Sequence, residues 1–506
     1  MDRREFLQIG TAAAMASGAM ARGHNKAGGR PPNLVFLFSD QQSWDYLGAS
    51  GLSGVQTPNV DQLASEGALF DQCVSNCPVC TPYRGMLMTG RHPLNNGAYA
   101  NDLGVVPEQG ATFAESLGAA GYDTAYVGKW HLQGGLRNKP VYKSNRLGFD
   151  QLFLTNNCTV DFHPGKCFYW NEDGERSYFD KWEQDGQTDQ AVNYLESRRD
   201  SENPFALFVS WHAPHNHRGG VGYDAPEEHM QRYDADTIDC RFHEEPSERL
   251  RSIHHGYSAL CSSIDDCVGR VMRQLEAIGE ADNTIFVFTS DHGDTLSGYD
   301  RQTHKCCPES AAVRVPMVMR WPGQIKAGTK RDLLLGTLDL MPSLLSMLGI
   351  SPPPECQGNN LGKAILSGDD EAVQSQPLFF FWWNRRGVYT REHTYAVGGF
   401  GAPDEIQRQH AAFDVLYEHA ADPWNRINLY DNAADRATRQ HLHELAMSWL
   451  DRFDDPFMDE HTLMSNTARV VGHSQPSRQP IADMTFSESP LATMKKLGVQ
   501  PYRPTL

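Results

Sequence analysis

The sequence predicts an α/β fold: a large sheet flanked by helices, followed by a smaller sheet-and-helix unit. Three observations predict it. Four short apolar runs, at 33–38, 124–127, 205–209 and 284–288, each stop at a group of ionisable residues. Runs of that length suit strands buried on both faces. Between them lie stretches with apolar residues at helical spacing, and strands alternating with helices make a layered α/β domain. After the Pro- and Gly-bearing stretch 351–368, an aromatic run (377–383) and an amphipathic stretch (441–453) follow.

The elements can be taken in order. The first run, NLVFLF, passes into Ser39-Asp40-Gln41-Gln42. Residues 61–70 read as an amphipathic helix. The second run leads into Gly128-Lys129-Trp130-His131, and the third into Trp211-His212-Ala213-Pro214-His215. Ile264, Val268, Val271, Met272, Leu275 and Ile278 recur at helical spacing, and Gly279 offers a stop. The fourth run leads into Ser290-Asp291-His292-Gly293-Asp294. Ligands of open α/β sheets bind beyond the carboxyl ends of the strands. The four ionisable ends are therefore expected to meet at one site, although strand order does not follow from the pattern. In the smaller unit, 377–383 reads as a buried strand, 389–391 and 394–395 as a strand pair, and 441–453 as a helix.

Composition narrows the function. Of 506 residues, 63 are Asp or Glu and 45 are Lys or Arg, a formal charge of −18. Such a surface argues against nucleic acid as partner. Any positive charge needed for an anionic substrate must be concentrated in the site. The start, Met1-Asp2-Arg3-Arg4-Glu5-Phe6-Leu7, then a short weakly apolar region and Ala19-Met20-Ala21, reads as a twin-arginine export signal. Its apolar part is too short to span a bilayer, and no later segment reaches that length. The expected plan is a signal at 1–21, a flexible leader at 22–32, a large domain at 33–370, a smaller one at 371–458 and an extended tail at 459–506. The mature chain is expected in the periplasm or outside the cell. Eleven Cys residues would suit disulfides there, though connectivity is not deducible.

If chemistry is the guide, the chain is organised around one stretch in particular: Cys80-Thr81-Pro82-Tyr83-Arg84, continuing to Thr89-Gly90-Arg91. A Cys is by default a buried structural thiol. Cys73, Cys77 and Cys80 also stand at C-x3-C-x2-C, a spacing that can hold three corners of an iron–sulfur cluster. The third reading is a resemblance. Cys-x-Pro-x-Arg followed by Thr-Gly-Arg resembles the signature of the sulfatase family. Residues 32–40, 57–70, Gly128-Lys129-Trp130-His131, Ser290-Asp291-His292-Gly293 and 314–323 resemble that family too. The resemblance runs over almost the whole mature chain. It implies the alkaline phosphatase-like fold, with a large α/β domain and a small C-terminal one.

The resemblance also implies a chemistry. In sulfatases a modifying enzyme reads Cys-x-Pro-x-Arg and oxidises the Cys to formylglycine (3-oxoalanine), which hydrates to a diol. One ion of Ca²⁺ is implied, with Asp40, Gln41, Cys80, Asp291 and His292 as ligands. Paired carboxylates need a cation between them, and oxygen ligands favour Ca²⁺ or Mg²⁺. Many relatives have Asp where Gln41 stands and Asn where His292 stands, so this site carries less negative charge. Arg84 would steady the diol. Lys129 and Lys305 would neutralise sulfate oxygens. His131 would be the base that releases sulfate, and His215 with Lys305 would protonate the leaving alcohol. His304 is the fallback for Lys305, while His212 and His217 read as structural or peripheral. Cys80 is expected at a helix N-terminus, which favours anions.

The expected function is hydrolysis of a sulfate monoester, a sulfated carbohydrate or small molecule, to alcohol and sulfate. Two alternatives stand beside it: a formylglycine-dependent phosphonate or phosphodiester hydrolase, and an inactive carbohydrate-binding relative. Residues 132–190, Trp44 and Arg385-Arg386 are candidates for the leaving-group pocket.

Overall fold

The computed structural model describes residues 30–106, 110–134, 137–159, 161–217, 222–299, 304–370, 378–382, 385–398 and 414–455. The signal, most of the leader and the tail lie outside the described residues.

The core is a ten-stranded sheet. Its order is Thr329–Arg331, Ala68–Phe70, Met317–Arg320, Thr284–Ser290, Asn33–Asp40, Phe205–Pro214, Asp123–Lys129, Leu152–Asn156, Phe168–Trp170, Arg176–Tyr178. Asn33–Asp40 runs parallel to both its neighbours, Phe205–Pro214 and Thr284–Ser290. Asp123–Lys129 runs parallel to Phe205–Pro214 and to Leu152–Asn156. The four runs read from the sequence are thus four adjacent parallel strands, and all are buried.

Strand alternation divides the core in two, as period-two geometry requires. Leu34, Phe36 and Phe38 join Phe113, Leu117, Met341 and Leu344 on one face. Val35 and Leu37 join Val60, Leu63, Leu260, Ile264 and Val268 on the other. Fully burying each such side chain contributes about 1.5–3 kcal/mol. A strand with both faces covered cannot show the polar alternation of a half-exposed one. That is why these strands read as unbroken apolar runs.

Two elements differ from expectation. The helix read at 61–70 spans Pro58–Glu66, and Ala68–Phe70 is a strand. Gly67 separates them. A Cβ there would stand 2.3 Å from the carbonyl oxygen of Met319, so only glycine lets the chain turn against the neighbouring strand. The pair read at 389–391 and 394–395 spans Arg385–Tyr389 and His393–Gly398, with residues 390–392 between them. The long helix, Glu248–Ala277, ends as predicted, with Gly279 at φ +76°.

A second sheet of four antiparallel strands, Leu378–Trp382, Arg385–Tyr389, His393–Gly398 and Val415–Glu418, carries the helix Arg436–Phe453. Leu442, Trp449 and Phe453 of that helix pack with Phe379, Tyr395 and Leu416 of the sheet. The same cluster includes Val79 and Met86, beside and within the Cys80 helix. Among the described residues no helix is long and apolar enough to cross a membrane. All eleven Cys residues are described and none is in a disulfide.

Candidate active site

The four strand ends meet, as their chemistry predicts. Asp40 closes its strand, Lys129 closes the strand Asp123–Lys129, and Asp291 follows Thr284–Ser290 directly. Asp40 is in register with Pro214, the residue before His215. Cys80 is the first residue of the helix Cys80–Thr89, at the positive end of its dipole. Ligand atoms of Asp40, Cys80, Asp291 and His292 all lie within 4.8 Å of one another, and all four residues are buried.

Backbone geometry shapes these ends. Gln41 (φ +70°) and His131 (φ +56°) both occupy the left-handed region. Such conformations are costly for non-glycine residues and persist only where surrounding structure imposes them. Before Lys129, Gly128 sits at φ +105°, and a Cβ there would meet the Ser210 carbonyl oxygen at 2.0 Å. The glycine of Gly128-Lys129-Trp130-His131 therefore serves close strand contact. Thr81 Oγ donates to the His131 carbonyl oxygen at 2.9 Å, which ties the His131 segment to the Cys80 helix.

Arg84 is fully buried and holds the carboxylates together. Its Nη2 donates to Asp40 Oδ2 at 3.0 Å and to Asp291 Oδ2 at 3.2 Å. Its Nη1 donates to the Lys129 carbonyl oxygen at 2.8 Å and to Ser210 Oγ at 2.7 Å. These bonds run to the carboxylates and the strand ends, and Arg84 influences Cys80 through charge. Lys129 Nζ forms a short ion pair with Asp40 Oδ2. Burial and the Cys80 charge work to raise the Asp40 carboxyl, but the Lys129 and Arg84 charges hold it well below the usual range. Burial and the Asp40 charge push Asp291 the other way, up.

Lys305 belongs to the site. Its Nζ donates to Cys80 Sγ at 3.4 Å and to His215 Nε2 at 2.9 Å. His215 Nδ1 donates to the Asn216 carbonyl oxygen at 2.5 Å. His215 is therefore a neutral tautomer with its Nε2 lone pair on Lys305. Burial and the Lys305 charge both lower its pKa. His304 turns away, with Nδ1 3.2 Å from Asp294 Oδ1. His212 is buried against Glu183 Oε2 at 2.8 Å. Burial alone would raise the Cys80 thiol, yet the Lys129 and Lys305 charges bring it well below its usual value. The positive charge that the acidic composition demanded is thus concentrated on this one atom's surroundings.

The cation ligands show a matching pattern. His292 Nδ1 donates to the Gly293 carbonyl oxygen at 2.9 Å, which leaves the Nε2 lone pair toward Cys80 Sγ (3.4 Å) and Asp291 Oδ1 (3.5 Å). A second hydrogen bond that fixes the tautomer is typical of metal-bound histidine. Gln41 Nε2 donates to Asp294 Oδ2 at 2.6 Å and to Asn216 Oδ1 at 3.2 Å. Its Oε1 is buried and has no hydrogen-bond donor. An orphaned buried oxygen, a lone-pair imidazole and two close carboxylates are what a divalent cation would satisfy. The residues present fit the ion.

Sequence reasoning missed Asp102. Its Oδ1 lies 3.2 Å from His131 Nε2, and Arg137 grips it through Nε and Nη2 at 2.8 Å each. It stands 29 residues before His131 in a separate loop, with no local motif around it. Cys158 was missed as well. Burial would lower the His131 pKa, but Cys158 and Asp102 beside it raise it to about 10. The rival cluster of cysteines is absent: among the described residues neither metal-ligating group includes Cys73 or Cys77. Of the proposed pocket residues, Arg386 is buried on Asp455, with Nε 2.5 Å from Oδ2. Trp44 is covered by the Arg314 guanidinium at 3.6 Å. Both are committed to packing rather than open to a ligand.

The sulfatase profile matches residues 32–350. The chain belongs to the sulfatase family. This sulfatase also matches the profile of the N-sulphoglucosamine sulphohydrolase C-terminal region over residues 305–449. It is 30% identical to the ulvan-active sulfatase of Formosa agariphila over 458 residues, 88% of this chain and 86% of that one. It is 26% identical to the endo-4-O-sulfatase of Bacteroides thetaiotaomicron over 490 residues, covering 85% and 94%. Among solved structures, yidJ from Bacteroides fragilis superposes with a TM-score of 0.75 at 29% identity, covering 86% of this chain and 99% of that one. The sulfatase has the alkaline phosphatase-like fold and is a sulfuric ester hydrolase.

Proposed function

We propose that this sulfatase cleaves sulfate monoesters of an exported or external carbohydrate, using formylglycine made from Cys80 and one Ca²⁺ ion. The observation that carries the reading is the set of groups around Cys80 Sγ. That atom marks where the oxygens of the modified side chain would stand, with Lys305 at 3.4 Å and His292 at 3.4 Å. When formed, the hydrated aldehyde supplies one oxygen to attack sulfur and a second hydroxyl whose deprotonation releases sulfate. When bound, Ca²⁺ would be held by Asp40, Gln41, Asp291, His292 and the oxygen at residue 80, and would polarise the sulfate.

The chain's own side chains have separable tasks. Lys129 and Lys305 supply positive charge for the sulfate oxygens. Arg84 keeps both carboxylates ionised and in place. Lys305 Nζ holds the proton that its contact with His215 Nε2 can pass to the leaving alcohol oxygen. His131 serves as the base, oriented by Asp102 through Nε2. The net change is ester plus water to alcohol plus sulfate.

The carbohydrate assignment rests on the ulvan and endo-4-O-sulfatase relatives, which favour sulfate over a phosphonate or phosphodiester. The export signal at 1–21, the leader at 22–32, the division at 370/371 and the tail from 459 belong to the same proposal. The modifying enzyme is its transient partner. Peptide mass spectrometry across Cys80, paired with sulfate release from a panel of sulfated polysaccharides, tests it. The expected result is an aldehyde at residue 80 and sulfate release. Full activity with only an unmodified thiol there would overturn it.

A further inference from the structure

A second group of metal-ligating side chains lies apart from the Cys80 cluster. His163 follows the strand Leu152–Asn156, and His217 and Asp224 follow Phe205–Pro214. One ligand atom from each lies within 4.8 Å of the others. Asp224 Oδ2 stands 3.7 Å from His163 Nε2 and 3.4 Å from His217 Nε2. Ligands bound to Zn²⁺ at about 2.0–2.1 Å in a tetrahedron stand about 3.3 Å apart. Two edges of such a tetrahedron are nearly in place.

Hydrogen bonds decide which nitrogens carry protons. His163 Nδ1 lies 2.7 Å from Asp161 Oδ1, and an ionised carboxylate can only accept. The proton of a neutral His163 therefore sits on Nδ1, and Nε2 presents a lone pair. His217 Nε2 accepts the backbone N–H of Asp224 at 2.9 Å, so it too is unprotonated. Two imidazole lone pairs and a carboxylate oxygen converge, and a cation among them would turn that crowding of acceptors into binding. Asp161 is placed as the carboxylates that orient metal-bound histidines are placed. The site is closed inside and open outside: the His217 side chain is 2% exposed and that of Asp224 is 55% exposed. Phe162 packs edge-on against the His217 ring, with centroids 5.6 Å apart.

We propose that His163, His217 and Asp224 form a second metal site, for Zn²⁺ or a similar transition-metal ion, with Asp161 orienting His163. Two imidazoles and one carboxylate with an open fourth position suit that class, whereas Ca²⁺ favours a shell made mostly of oxygens, as the Cys80 site offers with a single imidazole among its ligands. The metal displaces the Asp224 N–H from His217 Nε2, and that exposed residue can turn its N–H to water. Once bound, the ion ties the loop carrying His163 to the segment carrying His215, two residues before His217. It is a positioning clamp for that segment, and it does not depend on the chemistry at Cys80.

Titration with Co²⁺ tests this, on the full chain in excess Ca²⁺, reading the visible absorption of tetrahedral Co²⁺ and the bound metal by mass. The wild type should take up one Co²⁺ that Ca²⁺ does not displace and Zn²⁺ does. His163→Ala and Asp224→Ala should each lose it. Asp161→Asn should keep it with affinity weaker by about 10- to 100-fold. Circular dichroism melts check folding, and the exposed change Asp224→Asn carries the test if another variant fails to fold. The proposal is overturned if the Ca²⁺-saturated wild type binds no Co²⁺, or if the variants at His163 and Asp224 bind it as tightly as the wild type does. Metal is counted here rather than turnover, so the outcome is separate from that of the sulfate-release test.

Discussion

Asp294 holds the side-chain amide of Gln41 in one orientation: Gln41 Nε2 donates to Asp294 Oδ2 at 2.6 Å. With the donor end committed, Gln41 can offer only its orphaned Oε1 to a cation. This explains how an amide can stand where a carboxylate is common in the family. A carboxylate offers an oxygen whichever way it turns, whereas an amide needs a partner that forbids the flip.

Asp294→Ala should therefore weaken Ca²⁺ binding by about 10- to 100-fold, the usual effect of removing an outer-sphere partner. Asp294→Asn, which keeps a carbonyl acceptor, should lose less. Calorimetric titration of each variant with Ca²⁺ checks this. Equal affinity in all three proteins would remove Gln41 from the ligand set.

Arg84→Ala leaves Asp40 and Asp291 buried without the guanidinium they share. Breaking a buried charge pair from one side typically costs about 3–5 kcal/mol. The melting temperature in chelator should fall accordingly, and added Ca²⁺ should restore part of the loss by supplying another cation. A variant as stable as wild type in chelator would mean the two carboxylates need no such partner.

The His131 pKa, about 10, predicts a direction of pH dependence. Negative neighbours raise it, Cys158 foremost among them, against the effect of burial. Cys158→Ala removes that charge, so the His131 pKa should fall. A base works when unprotonated, so the acid limb of the kcat/KM profile should move to lower pH. Movement of the alkaline limb instead would mark His131 as a proton donor.

Cys80→Ser separates the two oxygens required at residue 80. A serine that stays unmodified has one hydroxyl and no second one on the same carbon. It should release at most about one alcohol per active site and then stop, with sulfate left on the serine oxygen. Mass spectrometry must verify the plain serine. Sustained turnover by that protein would contradict the two-hydroxyl mechanism.

Much of this protein was legible in the sequence because the relevant signals are contiguous. Asp40, Lys129 and His131, His215, and Asp291 with His292 each follow a short apolar run of the kind that suits a doubly buried strand. Parallel strands deliver such ends to the same edge of a sheet. Cys80 to Arg91 carries its own signature within one helix and its cap. The order of the strands, the cut of the 61–70 helix at Gly67 and the contacts of Arg84 were decided only in three dimensions. So were the pairing of Asp102 with His131, the hold of Asp294 on Gln41, and the convergence of His163, His217 and Asp224. The physical reason is common to them all. Motifs record which side chain a strand end presents, but a hydrogen-bond partner is chosen by which loops packing brings within about 3 Å. For Asp294 and Gln41 that partner lies 253 residues away.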